Sequence, residues 1–191
     1  MQEFSDQVYQ PEEDTYLLLK TALREVKLTD RILEVGTGSG LIASEMTKIS
    51  KNTIAVDINP HACKSAKKRG VEIIRSNLMT SFKENKTAFD LILFNPPYLP
   101  TKPEEKIDDW LEYALDGGIN GRETIEEFAK QLNGIMSKTG RCLLLISSLT
   151  GPDEVAMIFS RLGFLSFIVA EKKVEDEKLY VIRIINDLCR L

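Results

Sequence analysis

The chain has 191 residues, about one domain's worth and enough to bury a sizeable core. Its formal charge is −4 at pH 7, from 25 Lys and Arg against 29 Asp and Glu, so no basic footprint for nucleic acid exists at whole-chain level. No apolar stretch is long enough to span a bilayer, and the N-terminus lacks a basic-then-apolar leader pattern. The chain therefore reads as cytoplasmic. Cys63, Cys142 and Cys189 are far apart and follow no metal spacing, and Cys142 falls in an apolar run where a buried free thiol is expected. His61 is the only histidine, which puts a His-based metal site or a Ser-His-Asp triad out of reach.

Strand and helix patterns alternate along the chain. A first helix is expected from near Pro11, with Pro at a starting position and Glu12, Glu13 and Asp14 in the first turn, where carboxylates complement the helix dipole. Tyr16, Leu19, Leu23 and Val26 then recur at helical spacing. Residues 31–35 read as a strand, 39–49 as a helix and 53–57 as a strand. Asn59-Pro60 caps a helix running to Arg69, with Gly70 as its stop. Residues 71–75 and 89–94 are further strands.

An irregular polar stretch follows Tyr98 to about Gly121. The next helix places Ile125, Phe128, Leu132 and Ile135 on one face. Residues 142–146 form a strand, and Val155, Ile158, Phe159 and Leu162 mark a last helix. Two final strands, 164–170 and 179–185, flank a charged turn and read as an antiparallel pair. Repeated strand–helix units with a terminal hairpin imply one α/β domain built on a mostly parallel sheet with helices on both faces.

Two segments carry chemistry. Leu91-Ile92-Leu93-Phe94 is an apolar run without alternation, as in a central parallel strand, and it stops at Asn95-Pro96-Pro97-Tyr98. Two prolines forbid further ladder bonding and stiffen the chain just past the strand's carboxyl end, where ligands sit in open α/β sheets. The second segment, Glu34-Val35-Gly36-Thr37-Gly38-Ser39-Gly40, follows the first strand and opens a helix. Its glycines allow a tight turn and close approach to a ligand, and the helix N-terminus favours an anionic group. Asp57 ends the next strand about twenty residues on, at the spacing where a carboxylate meets ribose hydroxyls. A nicotinamide cofactor uses the same geometry, but its fingerprint wants a glycine where this chain has Leu41. Hydride transfer also needs a positioned proton donor, and His61 has no evident partner.

Together these residues resemble the S-adenosylmethionine-dependent methyltransferases of the seven-stranded Rossmann-like class, whose Asn-Pro-Pro-Tyr members methylate planar nitrogens. Tyr9-Gln10-Pro11-Glu12-Glu13-Asp14-Thr15 and Gly117-Gly118-Ile119-Asn120-Gly121-Arg122-Glu123 are similar to segments of the HemK-type release-factor glutamine methyltransferases. The resemblance implies a cofactor pocket lined by Thr15, Glu34, Gly36, Thr37, Gly38, Gly40, Asp57, Ile58, Asn77, Leu78 and Asn95. In it Glu34 would approach the methionine amino end and Asp57 the ribose, with residues 1–26 completing the pocket. Asn77 departs from the family, where Asp is common and accepts from the adenine amino group. Its carbonyl oxygen can still accept.

The resemblance assigns the catalytic role to Asn95, Pro96, Pro97 and Tyr98. An amide nitrogen delocalises its lone pair and is a poor nucleophile. Accepting hydrogen bonds from its two N–H groups, through the Asn95 side-chain oxygen and the Pro96 carbonyl, would fix it in line and disperse developing positive charge. Tyr98 would pack flat against the planar acceptor. The motif serves glutamine amides, adenine N6 and guanine N2 alike, and a non-catalytic cofactor-binding scaffold is a further reading. The stretch 99–121 is acidic, with Glu104, Glu105, Asp108, Asp109, Glu112 and Asp116 against Lys102 and Lys106. That charge opposes a phosphate backbone and attracts a basic peptide loop. Trp110 is expected to anchor this stretch on the core. The resemblance is to the short archaeal and eukaryotic branch, in which no helical substrate domain of the bacterial HemK type is expected before the motifs. The resemblance then implies a class 1 release factor as substrate and a small zinc-binding activator subunit as partner. An exposed sheet edge invites such a partner, and 71–75 is the expected one.

Overall fold

The computed structural model describes residues 7–84, 88–100 and 109–189. Its elements run α1 (Glu13–Glu25), β1 (Ile32–Val35), α2 (Leu41–Ile49), β2 (Thr53–Asp57), α3 (Pro60–Lys68), β3 (Glu72–Arg75) and β4 (Phe89–Phe94). There follow α4 (Trp110–Tyr113), α5 (Glu123–Leu132), β5 (Met136–Ser147), α6 (Pro152–Arg161), β6 (Phe164–Lys173) and β7 (Lys178–Asn186). The seven strands form one sheet in the order β3-β2-β1-β4-β5-β7-β6. The pairs from β3 to β5 are parallel, and β7 runs antiparallel between β5 and β6. The expected mostly parallel sheet with a terminal antiparallel pair is thus present.

Side-chain parity divides the core in two. Leu91 and Leu93 of β4 face Leu18 and Ala22 of α1 and Ile42 and Met46 of α2. Ile92 and Phe94 point to the opposite face, against Ile125 and Phe128 of α5 and Phe159 of α6. Each residue of the apolar run is therefore buried by one helical layer or the other, which is why the run shows no alternation. The Phe94 and Phe128 rings lie 4.6 Å apart. That contact fixes the end of β4 just before Asn95.

Element boundaries depart from the sequence reading at several places. The first helix begins at Glu13 with Glu12 at its N-cap, so Pro11 lies outside it. β5 starts at Met136 rather than Cys142. Its polar beginning is held by Ser137 Oγ donating to Asp90 Oδ1 (2.9 Å) and by Asn186 Nδ2 donating to the Ser137 carbonyl (3.0 Å). Hydropathy carries no trace of such bonds. The stretch after Tyr98, expected to be irregular, contains the short helix α4. Glu104, Glu105, Asp108, Lys102 and Lys106 of the acidic stretch lie outside the described residues. Cys142 is a buried free thiol, and burial pushes its pKa up.

The far end of α1 is pinned to the sheet by charge. Arg141 of β5 bonds Asp30 at 2.7 Å and lies 3.4 Å from Glu25, while Arg183 of β7 bonds Glu25 at 2.6 Å. This network sets the helix over β5 and β7, and so fixes where its first turn meets the end of β4.

Candidate active site

The carboxyl ends of β1, β2 and β4 open onto a cavity of about 680 Å³. Its size suits a cofactor-scale ligand. Thr15, Glu34, Gly36, Thr37, Gly38, Asp57, Ile58, Asn77, Leu78 and all of Asn95-Pro96-Pro97-Tyr98 line it. Nearly every residue singled out in the sequence therefore converges on one space. Gly40 is the exception. It does not line the cavity but packs on α3, where a Cβ would lie 2.6 Å from Ala66 Cα.

The glycine loop is braced from two sides. Asp57 accepts from Gly38 N through Oδ2 and from Asn59 N through Oδ1, each at 2.8 Å. A carboxylate offers about four acceptor sites, so capacity is left for ligand hydroxyls. Burial raises the Asp57 pKa, and those backbone donors lower it. Glu34 accepts from Thr37 Oγ1 and, at 2.8 Å, from Ala43 N. Burial pushes its pKa up to about 8, against the pull of those two bonds and with Asp57 adding repulsion. Glu34 thus ties the loop to the first turn of α2 as well as facing the cavity.

Leu78 adopts φ +47°, a left-handed conformation that costs a non-glycine residue about 1–2 kcal/mol. Such conformations cluster at ligand sites. Asn77 beside it is exposed at the cavity wall. Trp110 also lines the wall, with the Arg75 guanidinium 6.0 Å from its ring centre.

At the end of β4, the Asn95 amide is held by one end only. Its Nδ2 donates to Asp14 Oδ2 at 3.0 Å, while its buried Oδ1 has no hydrogen-bond partner. A buried acceptor left open calls for an explanation, and Asn95 is one of the residues that line the cavity. Tyr98 is half-buried, and its hydroxyl pKa is raised by burial and then by Asp14, Glu177 and Glu12.

Sequence reading did not assign functional roles to several contributors. Asp14 reaches Asn95 from the N-terminal motif, and the Tyr9 hydroxyl donates to the same Asp14 oxygen. Glu177 arrives from the β6–β7 turn, held by Ser147 Oγ. The glycine motif 117–121 clasps the backbone after the prolines, with Gly117 N donating to the Leu99 carbonyl at 3.0 Å. The cavity wall carries eight carboxylates (Glu12, Asp14, Glu34, Asp57, Asp116, Glu123, Glu127 and Glu177) and, among the described residues, no Lys or Arg. No group of three His, Cys, Asp or Glu among the described residues could hold a metal ion.

Residues 7–109 match the model of the methyltransferase small domain family. The chain belongs to that family. A Methanocaldococcus jannaschii relative, MJ0928, provisionally named a protein N5-glutamine methyltransferase, is 45% identical over 92% of this chain and 90% of its own. The Homo sapiens protein named Methyltransferase HEMK2 is 31% identical over 94% of this chain and 90% of its own. Among solved structures, the E. cuniculi Mtq2–Trm112 complex, described as responsible for methylation of the eRF1 translation termination factor, superposes with a TM-score of 0.78. It is 29% identical and covers 94% of this chain and 99% of the matched one. The chain is therefore a methyltransferase. Among the described residues no helix is long and apolar enough to cross a membrane.

Proposed function

We propose that this chain methylates the side-chain amide nitrogen of a glutamine in a class 1 translation release factor, with S-adenosylmethionine as donor. The observation that carries the reading is the open, buried Oδ1 of Asn95 beside a cavity of cofactor size. The residues suit that donor: loop N–H groups and the α2 N-terminus for its carboxylate, Asp57 for its ribose, Asn77 and Leu78 for its adenine. When bound, the donor supplies a methyl group already activated on a sulfonium.

The chain's residues then act on the acceptor. Asn95 Oδ1 and the Pro96 carbonyl accept the two N–H bonds of the incoming amide, which orients its nitrogen and stabilises positive charge as it develops. The prolines hold both acceptors in advance, so little reorganisation is needed. Tyr98 packs on the acceptor plane. No residue need act as a strong base, because charge on the nitrogen acidifies the proton that leaves to solvent.

The acceptor class follows from charge. A wall that carries, among the described residues, carboxylates and no Lys or Arg repels phosphate and attracts a basic peptide loop. The names of the relatives, glutamine N5 and eRF1 methylation, support the same choice. A small zinc-binding partner subunit pairs with the free edge of β3, which leads directly into Ser76, Asn77 and Leu78 of the cavity wall. The solved relative is itself a two-protein complex. The test is Asn95→Ala, with methyl transfer to a release factor and cofactor affinity measured separately. The reading expects transfer to fall by roughly 100-fold or more with affinity little changed. A near-normal rate would remove Asn95 from the chemistry.

A further inference from the structure

We propose that Asp14 is the positioning residue that sets which end of the Asn95 amide faces the acceptor. This rests on the reading above of Asn95 Oδ1 as a hydrogen-bond acceptor for substrate.

Asp14 is 3% exposed at the start of α1 and receives four donors. Tyr9 OH and Asn95 Nδ2 each donate to Oδ2 at 3.0 Å. The Thr15 backbone N–H (2.5 Å) and Thr15 Oγ1 (3.2 Å) donate to Oδ1. A carboxylate accepts and an amide has one end of each kind, so Asp14 selects the NH₂ end of Asn95 and leaves Oδ1 without a protein partner in a residue that lines the cavity. Nothing else in the described surroundings makes that choice, because Oδ1 has no protein partner of its own. Tyr9 supports the arrangement through a second bond to the same oxygen.

The isosteric change Asp14→Asn discriminates this role from a structural one. One end of the new amide would be NH₂, and either way it meets donors. The Thr15 N–H is fixed in the backbone, so the new oxygen turns there and the new NH₂ faces Asn95. Asn95 then turns over, spending Oδ1 on residue 14 and presenting NH₂ to the substrate. Truncation by Asp14→Ala removes the guide without forcing the reversal. A merely structural Asp14 predicts the opposite order, with truncation the more damaging.

The experiment compares kcat for methyl transfer, cofactor Kd and the Asn95 side-chain amide resonances in wild type, Asp14→Asn, Asp14→Ala and Asp14→Asn/Asn95→Asp. The expected result is a loss in kcat of about 100-fold for Asp14→Asn and a smaller one for Asp14→Ala, with cofactor Kd within about threefold. The double variant, whose carboxylate can accept both from the new amide and from substrate, recovers at least about tenfold over Asp14→Asn. The Asn95 amide resonances shift on Asp14→Asn in protein without substrate. Near-normal kcat in Asp14→Asn, truncation as the worse lesion, or unmoved Asn95 resonances would overturn the assignment. If wild type itself transfers nothing to the glutamine, the proposed function fails, and the resonances still decide the role of Asp14.

Discussion

Gly121 lies directly against the carbonyl oxygen of Tyr98, and a side chain at Gly121 would overlap it. With φ +70°, the same residue also holds a conformation that L side chains avoid. The glycine motif is thus part of the support for the turn that carries Asn95 to Tyr98. Gly121→Ala is expected to displace Tyr98 and cut methyl transfer by at least about tenfold, from about 1–3 kcal/mol of overpacking. Cofactor affinity, measured by calorimetry, stays near wild type. A parallel loss of affinity would show that the clasp serves the other half of the cavity.

Gly40→Ala separates in the opposite direction. A Cβ there meets Ala66 of α3, so α2 must shift and carry the loop 36–39 with it. The expected outcome is about 1–3 kcal/mol lower stability together with weakened cofactor binding. Urea denaturation and calorimetry on one preparation check both. Unchanged affinity at reduced stability would show that the loop holds its shape without the α2–α3 contact.

Glu34 gives stability a pH dependence of defined sign. Its pKa rises from 4.5 to about 8 on folding, so the folded chain holds a proton that the unfolded chain has released across that window. The contribution is fully present below pH 4.5 and is lost as pH rises to about 8. Glu34→Gln, which can keep both accepted bonds through its carbonyl oxygen, is expected to flatten that part of the profile. Denaturation across this range in both proteins decides it. Equal slopes would mean that Glu34 is ionised in the folded chain.

The free edge of β3 carries Ile74, 36% exposed. Co-expression with a small zinc-binding partner subunit is expected to raise soluble yield and activity. Ile74→Lys is expected to abolish both gains and to leave the isolated chain's melting temperature unchanged. A partner equally effective on Ile74→Lys would place the interface elsewhere, and one without effect would remove the heterodimer.

The sheet and the two halves of the site were legible because each rests on a local pattern. The run Leu91–Phe94 ends at two prolines, and Gly36, Gly38 and Asp57 stand at the ends of adjacent strands. Asp14 was not legible. Glu12, Glu13 and Asp14 look alike in sequence, and only packing of α1 against the sheet buries the third. Glu177 was invisible for a related reason, since it comes from a charged turn whose approach to the cavity depends on the length of the β6–β7 pair. Gly40 read as a ligand-binding glycine because spacing does not distinguish a loop that faces a cofactor from one that faces a helix.

The central claim is that this site delivers a methyl group to a glutamine amide. The most direct measurement incubates the chain, with and without a small zinc-binding subunit, with labelled S-adenosylmethionine and a class 1 release factor, and locates the label by peptide mass spectrometry. The expected result is one methyl group on the glutamine of the Gly-Gly-Gln segment, lost when that glutamine is replaced and lost with Asn95→Ala. Label that persists on the factor after the glutamine is replaced, or that appears only on added DNA or RNA, would contradict it.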